Sequence, residues 1–203
     1  MRRISILVAL VATFALAGTA LAAPSTWKVY NYWGATGMQL RAAVASVASD
    51  GTVSFTLPTD TFYGAAYLTT AKVGNFGDLA GQTMSATVGI TADAGTTFLA
   101  WETCATPTVG LYFETKAKGK FNPSAYWWSS DRRLLSDLLN TTTLLSTPLT
   151  AGSWTNYNGQ TDPDGFAAAV ANVTTWGVSF GGCGGYANGV AASNSSAVFT
   201  LTP

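Results

Sequence analysis

Two glutamates, Glu102 and Glu114, eight aspartates and no histidine are all that this chain offers for proton transfer. Without histidine, neither a Ser-His-Asp nor a Cys-His nucleophilic site can be assembled. Glycoside hydrolysis needs only two carboxylates, about 5–9 Å apart. A hairpin turning at Ala105-Thr106-Pro107-Thr108 would place Glu102 opposite Val109 or Gly110. Glu114 then lies four or five residues further along, roughly 13–17 Å away at about 3.3 Å per residue. The two do not make an acid–base pair. Asp50, Asp78, Asp93, Asp162 and Asp164 stand in turn contexts, so the chain reads as non-catalytic, with a small sandwich glycoside hydrolase or lyase as the alternative class. Two cysteines fall short of the four N/S ligands, or three plus water, of an ordinary zinc site. Asp162-Pro163-Asp164-Gly165 resembles part of a calcium loop but has no further ligands, and a turn followed by a helix cap accounts for it. No cofactor or metal is expected; structural calcium at that loop is the alternative.

The stronger signal is aromatic. Sugar rings present C–H faces that stack on Trp and Tyr, whose polar edges also hydrogen-bond hydroxyls. Tyr126, Trp127 and Trp128 are consecutive, so on a strand Trp127 points away from the other two. One set fills the core and the other is left on the outer face. Trp154 and Tyr157 flank a polar loop containing Asn156, Asn158 and Gln160. The expected ligand-binding set is therefore Tyr126, Trp127, Trp128, Trp154, Asn156 and Tyr157, and the expected partner is a polysaccharide or other glycan. Lys116, Lys118 and Lys120, followed by Arg132 and Arg133, admit an acidic glycan; spaced lysines equally suit a solvated face or a protected strand edge. Tyr30, Tyr32 and Trp33 either extend a binding surface or form an N-terminal strand packed on the body.

Strands must position these rings. In Thr52–Leu57, Val53, Phe55 and Leu57 face one way and Thr52, Ser54 and Thr56 the other. The same alternation runs through Met84–Thr91, Thr175–Phe180 and Ala197–Thr202, each the pattern of a strand with one buried and one wet face. Turn signals separate the runs: Asp50-Gly51, Gly74-Asn75, Asp93-Ala94-Gly95, Lys118-Gly119, Asn122-Pro123, Asn158-Gly159 and Gly181-Gly182. A two-residue turn at Asp50-Gly51 would pair Ala48 with Val53 and Ser46 with Phe55. Only residues 164–171 look helical, with Asp164 as N-cap and Phe166/Val170 at i, i+4. The expected fold is all-β, an antiparallel β-sandwich of jelly-roll type with one short helix near 164–171.

The last third carries a family resemblance. A strand ending Thr147-Pro148-Leu149-Thr150 leads to a turn and Trp154, then the short helix. Asn172-Val173-Thr174-Thr175-Trp176-Gly177-Val178-Ser179-Phe180, a Gly-rich turn and a closing strand Ala197–Thr202 follow. This order resembles the C-terminal half of galactose-binding-like jelly rolls, among them many carbohydrate-binding modules. The resemblance implies a sandwich that binds sugar. Where that family often carries an Asp just before the last strand, this chain has Asn188 and Ser193–Ser196.

The N-terminus reads as an export signal. Met1-Arg2-Arg3 is basic, Ile4–Ala17 is an almost unbroken apolar run too short to span a bilayer, and Ala20-Leu21-Ala22 supplies the small-x-small cleavage pattern. Residues 1–22 are expected to be removed, leaving 23–203 as a single secreted or periplasmic β-sandwich domain without a membrane span. Cys104 and Cys183 then read as a disulfide that stabilises by about 4.5 kcal/mol in the chain-entropy model. Ten acidic residues against eight remaining basic ones give that product a net charge of −2, which attracts neither nucleic acid nor anionic membrane. Asn140, Asn172 and Asn194 begin glycosylation sequons. The expected function is non-catalytic carbohydrate binding through exposed aromatics. The alternative is a structural or adhesive surface protein acting by protein–protein association, with no small ligand.

Overall fold

The computed structural model describes residues 26–32, 41–71, 76–101, 106–116, 121–182 and 187–203, and it is all-β: two antiparallel sheets packed as a sandwich, with one α-helix among the described residues. The expected signal segment 1–22, Cys104 and Cys183, Glu102, Trp33, Lys118 and Lys120 lie outside the described residues. Strands are numbered in chain order. The large sheet holds β1 (Trp27–Asn31), β2 (Arg41–Val44), β5 (Ala65–Thr70), β8 (Thr108–Thr115), β9 (Tyr126–Leu134), β11 (Trp154–Asn156) and β12 (Val173–Gly181). Their order is β11-β9-β8-β12-β5-β1-β2. An antiparallel pair distant in sequence, β7 (Phe98–Ala100) and β13 (Val190–Ala192), joins this sheet through β5. The small sheet runs β10 (Thr142–Pro148), β6 (Thr83–Thr91), β14 (Val198–Thr202), β4 (Val53–Thr56) and β3 (Ser46–Val47). Among the described residues, no helix is long and apolar enough to cross a membrane.

The alternation read from the chain sets the core. Val53, Leu57, Met84, Ala86, Val88, Ile90, Trp176, Val178, Phe180, Ala197, Phe199 and Leu201 are all buried. The two sheets meet where Phe180 of β12 lies against Phe55 of β4 (5.8 Å between ring centroids) and Phe199 of β14 (4.9 Å). At roughly 1.5–3 kcal/mol per large apolar side chain removed from water, this inner layer supplies the drive for the two sheets to associate.

Two local expectations are corrected. The β3–β4 register pairs Ser46 with Ser54 and Val47 with Val53, not Ser46 with Phe55. The loop is one residue longer than a two-residue turn: Ala48 N–H donates to the Thr52 carbonyl, and Gly51 takes the left-handed position at φ +86°. That is the three-residue hairpin with glycine at its αL site. Asp50-Gly51 marks the turn correctly but not its length: Ser49 joins the loop, and within it the Asp50 side chain accepts from Thr52 N–H.

The helix, α1 (Pro163–Val170), starts one residue early, and Asp162 rather than Asp164 caps it. Proline suits the first helical position because it has no N–H to leave unsatisfied. The Asp162 carboxylate accepts from Gly165 N–H (3.2 Å) and from the Ser124 hydroxyl (2.6 Å). Its carboxyl is thereby spent as a cap. Phe166, Ala169 and Val170 bury the inward stripe.

The Ser124 hydroxyl and then the Gly165 N–H hold the Asp162 carboxyl below its usual range. A depressed folded-state pKa contributes stability at neutral pH that is lost as pH falls through the acid range. Asp162→Ala should therefore cost about 1 kcal/mol at pH 7, or roughly 2–4 °C in Tm. The gap between variant and wild type should close as pH drops below about 4. Thermal melts across that range check this; a gap independent of pH would remove Asp162 from the capping role.

Candidate functional site

Pairing decides which face each ring takes. On β9, Trp127 stands opposite Phe113 of β8 and Trp128 opposite Tyr112. Phe113, with Leu111 and Val109, belongs to the buried inner face, so Trp127 follows it inward and Tyr126 and Trp128 are turned out. Trp127 and Trp154 are 0% exposed. Their indole N–H groups donate to the carbonyls of Ser124 and Pro148, both at 2.9 Å. The expectation that these two rings face solvent is thus corrected: each fills the core and satisfies its polar edge internally. Phe166 of α1 closes over both, 5.0 Å from Trp127 and 6.5 Å from Trp154. Asn156 is also withdrawn. It lies opposite Trp127 and is buried, and its side-chain oxygen accepts from Asn158 and Gln160 N–H groups, so it shapes the loop instead of meeting a ligand.

The other three expected residues, Tyr126, Trp128 and Tyr157, come together on the outer face of the large sheet. They belong to a longer band that the sequence reading did not assemble. Tyr67 of β5 meets Tyr112 of β8 at 4.7 Å, Tyr112 meets Trp128 at 5.2 Å, and Trp128 meets Tyr157 at 6.2 Å. Phe121 then packs on Tyr157 (4.8 Å) and stacks on Tyr126 (5.7 Å). Tyr112 and Trp128, each 3% exposed, form the floor, while Phe121, at 59%, stands in water. Tyr67, Tyr126 and Tyr157 are half-buried. Strands two apart in a sheet are separated by about 9.6 Å. Tyr67 and Tyr112 bridge that span because β12 between them carries Gly177 opposite Tyr112 and Ser179 opposite Tyr67. Small residues on the middle strand leave room for rings from both neighbours.

Glu114 lies in the middle of this band, opposite Tyr126 on β9. Burial is the largest cause that pushes the hydroxyls of Tyr30, Tyr67, Tyr112 and Tyr126 up, and the Glu114 carboxylate adds to all four. These phenols therefore stay protonated at neutral pH and keep their donors. Arg132 reaches across the same face from the opposite side. Its side chain lies on Gly110, where a Cβ would come within 2.9 Å of the guanidinium, and runs on to Ser179 of β12. On this face Phe121 offers an exposed ring, Tyr67, Tyr126 and Tyr157 offer half-buried ones, and Glu114 and Arg132 bring charges of opposite sign. Such a surface can hold a ring-shaped polyol.

Among the described residues there is no group of three or more side chains that could hold a metal ion. A cavity of about 340 Å³ opens elsewhere, at the β2/β4 edge between the sheets, lined by Val29, Asn31, Ala43, Val44 and Phe55 among others. The aromatic band is separate from it. Sequence reasoning missed Tyr67, Tyr112 and Phe121; of these Tyr112 had a signal, since Gly110, Tyr112 and Glu114 alternate with Leu111 and Phe113. No family profile matches the chain, and neither does any curated protein or solved structure.

Proposed function

We propose that this chain is a secreted, non-catalytic β-sandwich that binds carbohydrate on the outer face of its large sheet. The observation that carries the reading is the unbroken ring band from Tyr67 through Tyr112, Trp128 and Tyr157 to Tyr126 and Phe121, with Glu114 among the tyrosines. Rings that fill a core need no hydroxyls on a wet face; here the tyrosines share that face with a carboxylate. Kinship with galactose-binding-like jelly rolls, and export after removal of residues 1–22, belong to the same proposal.

Affinity electrophoresis against a panel of neutral and acidic polysaccharides tests it. Each stacked ring contributes about 1 kcal/mol beyond its buried area, so Tyr126→Ala and Tyr157→Ala should each weaken binding about fivefold while leaving the melting transition in place. Trp154→Ala should instead destabilise the fold. If no polysaccharide retards the wild-type protein, the proposal fails.

A second reading has one specific observation. β2 and β3 end their sheets, and Val44 (74% exposed) and Val47 (42%) stand on them in water. Unpaired edges with apolar side chains favour strand-to-strand association, which suits an adhesive protein. Sedimentation over a concentration series separates the two: a strict monomer that binds polysaccharide leaves the first reading alone.

A further inference from the structure

Among the described residues, Arg132 has no carboxylate partner. Its Nε donates to the Thr108 hydroxyl at 2.9 Å, Nη1 to the Ser179 hydroxyl at 3.1 Å and Nη2 to the Ser179 carbonyl at 3.1 Å. All three acceptors are neutral. A guanidinium has five N–H donors, so one on each terminal nitrogen is left without an acceptor among the described residues. The nearest carboxylate in sequence, Asp131, is paired with Arg133 at 3.4 Å. No carboxylate among the described residues lies within ion-pair reach of Arg132.

The position of this charge is as telling as its isolation. It leaves β9, crosses β8 over Gly110 and ends at Ser179 on β12, which stands directly opposite Tyr67, the end ring of the aromatic band. Burial pulls the guanidinium down to about 10. It is therefore still charged at neutral pH, and the side chain is half-buried, partly withdrawn from water but still reached by it. Even a partly withdrawn charge is stabilised by an opposite charge or by well-aligned hydrogen bonds. Three neutral acceptors hold this guanidinium in place and neutralise nothing.

We infer that Arg132 is an anion subsite at the Tyr67 end of the aromatic band, and that it takes the carboxylate of a uronic-acid sugar. The inference rests on the carbohydrate reading and narrows it to acidic polysaccharides. Guanidinium and carboxylate match in shape and charge, and such pairs are stronger than neutral hydrogen bonds. General attraction between polyanion and protein does not supply the effect, since the chain holds ten acidic against ten basic residues.

Affinity electrophoresis decides this with polygalacturonate, alginate and hyaluronan, each run beside its carboxyl-methylated form. The wild-type protein should bind one of the free acids at least tenfold more tightly than the methylated polymer. Arg132→Gln should abolish that preference while keeping the weaker affinity for the methylated form. Arg133→Gln removes the same charge from the neighbouring residue and should leave the preference within twofold. The wild-type comparison stands even if Arg132→Gln does not fold. Equal affinity for acid and ester overturns the inference and leaves the carbohydrate reading intact, as does a preference that survives in a folded Arg132→Gln. Binding to none of the polymers, acidic or neutral, overturns both.

Discussion

Gly177→Ala should lower Tm by about 6–12 °C, and Gly177→Val should lower it further. Gly177 lies in the middle of β12, the strand that joins β8 to β5. A Cβ built there meets the Leu68 carbonyl oxygen in direct overlap and sits 2.8 Å from Thr69 Cα. All the atoms it meets are backbone, so no side-chain rotation relieves the contact and the two strands must move apart. Overpacking of this kind costs roughly 3 kcal/mol where the neighbours cannot yield, and each kcal/mol is about 2–4 °C at this chain length. Because Tyr67 and Tyr112 meet across this strand, the same change should also reduce glycan binding. Gly152→Ala is the control: a Cβ there meets nothing within 4 Å, so its melt should superimpose on wild type. Calorimetric melts of the three variants check the argument. An unshifted Gly177→Ala would mean that β5 and β12 are not in this close contact.

Phe113→Ala should cost about 4 kcal/mol, near the top of what a single core truncation does. Phe113 is fully buried at the point where β8, β9, β11 and α1 converge. Its ring lies 5.0 Å from Trp154, 6.0 Å from Phe166 and 6.3 Å from Trp127. These neighbours come from three elements with their own backbone constraints, so they cannot all close on the space that the ring vacates. The cost therefore includes a cavity as well as the lost transfer energy. Denaturant unfolding should show a lower midpoint with an unchanged slope. Phe121→Ala offers the contrast: that ring is mostly in water, and its truncation should move stability by less than about 0.5 kcal/mol while weakening glycan binding. If Phe113→Ala were equally mild, the aromatic interior would be loosely packed and the sheet a poor platform for a ligand.

How far the chain could be read in advance varies from one residue to the next, for reasons that are physical. Met84, Ala86, Val88 and Ile90 declare their shared face through alternation, and the sheet buries all four. Asp50-Gly51 announces a turn, but not that Ser49 joins it, which the β3–β4 register decides. Tyr126-Trp127-Trp128 shows that one tryptophan must oppose the other. Which one turned inward was decided by Phe113, fourteen residues away, through the β8–β9 register. Trp154 and Asn156 have polar neighbours in sequence and looked wet. α1 packs over Trp154, and Asn156 turns its oxygen to its own loop.

Strand pleating is a local property, so periodicity alone was enough to establish an all-β chain with inward rows at Val53, Met84, Trp176 and Phe199. The binding surface is not local. Tyr67 and Tyr112 are neighbours only because β12, drawn from more than sixty residues further along, pairs between their strands, and Arg132 has its place only because Ser179 lies across that same strand. Strand order comes from long-range pairing and from the competition of large rings for one interior. Neither is written in the spacing of adjacent residues, and so the tertiary fold alone determined which aromatics face water and where Arg132 sits.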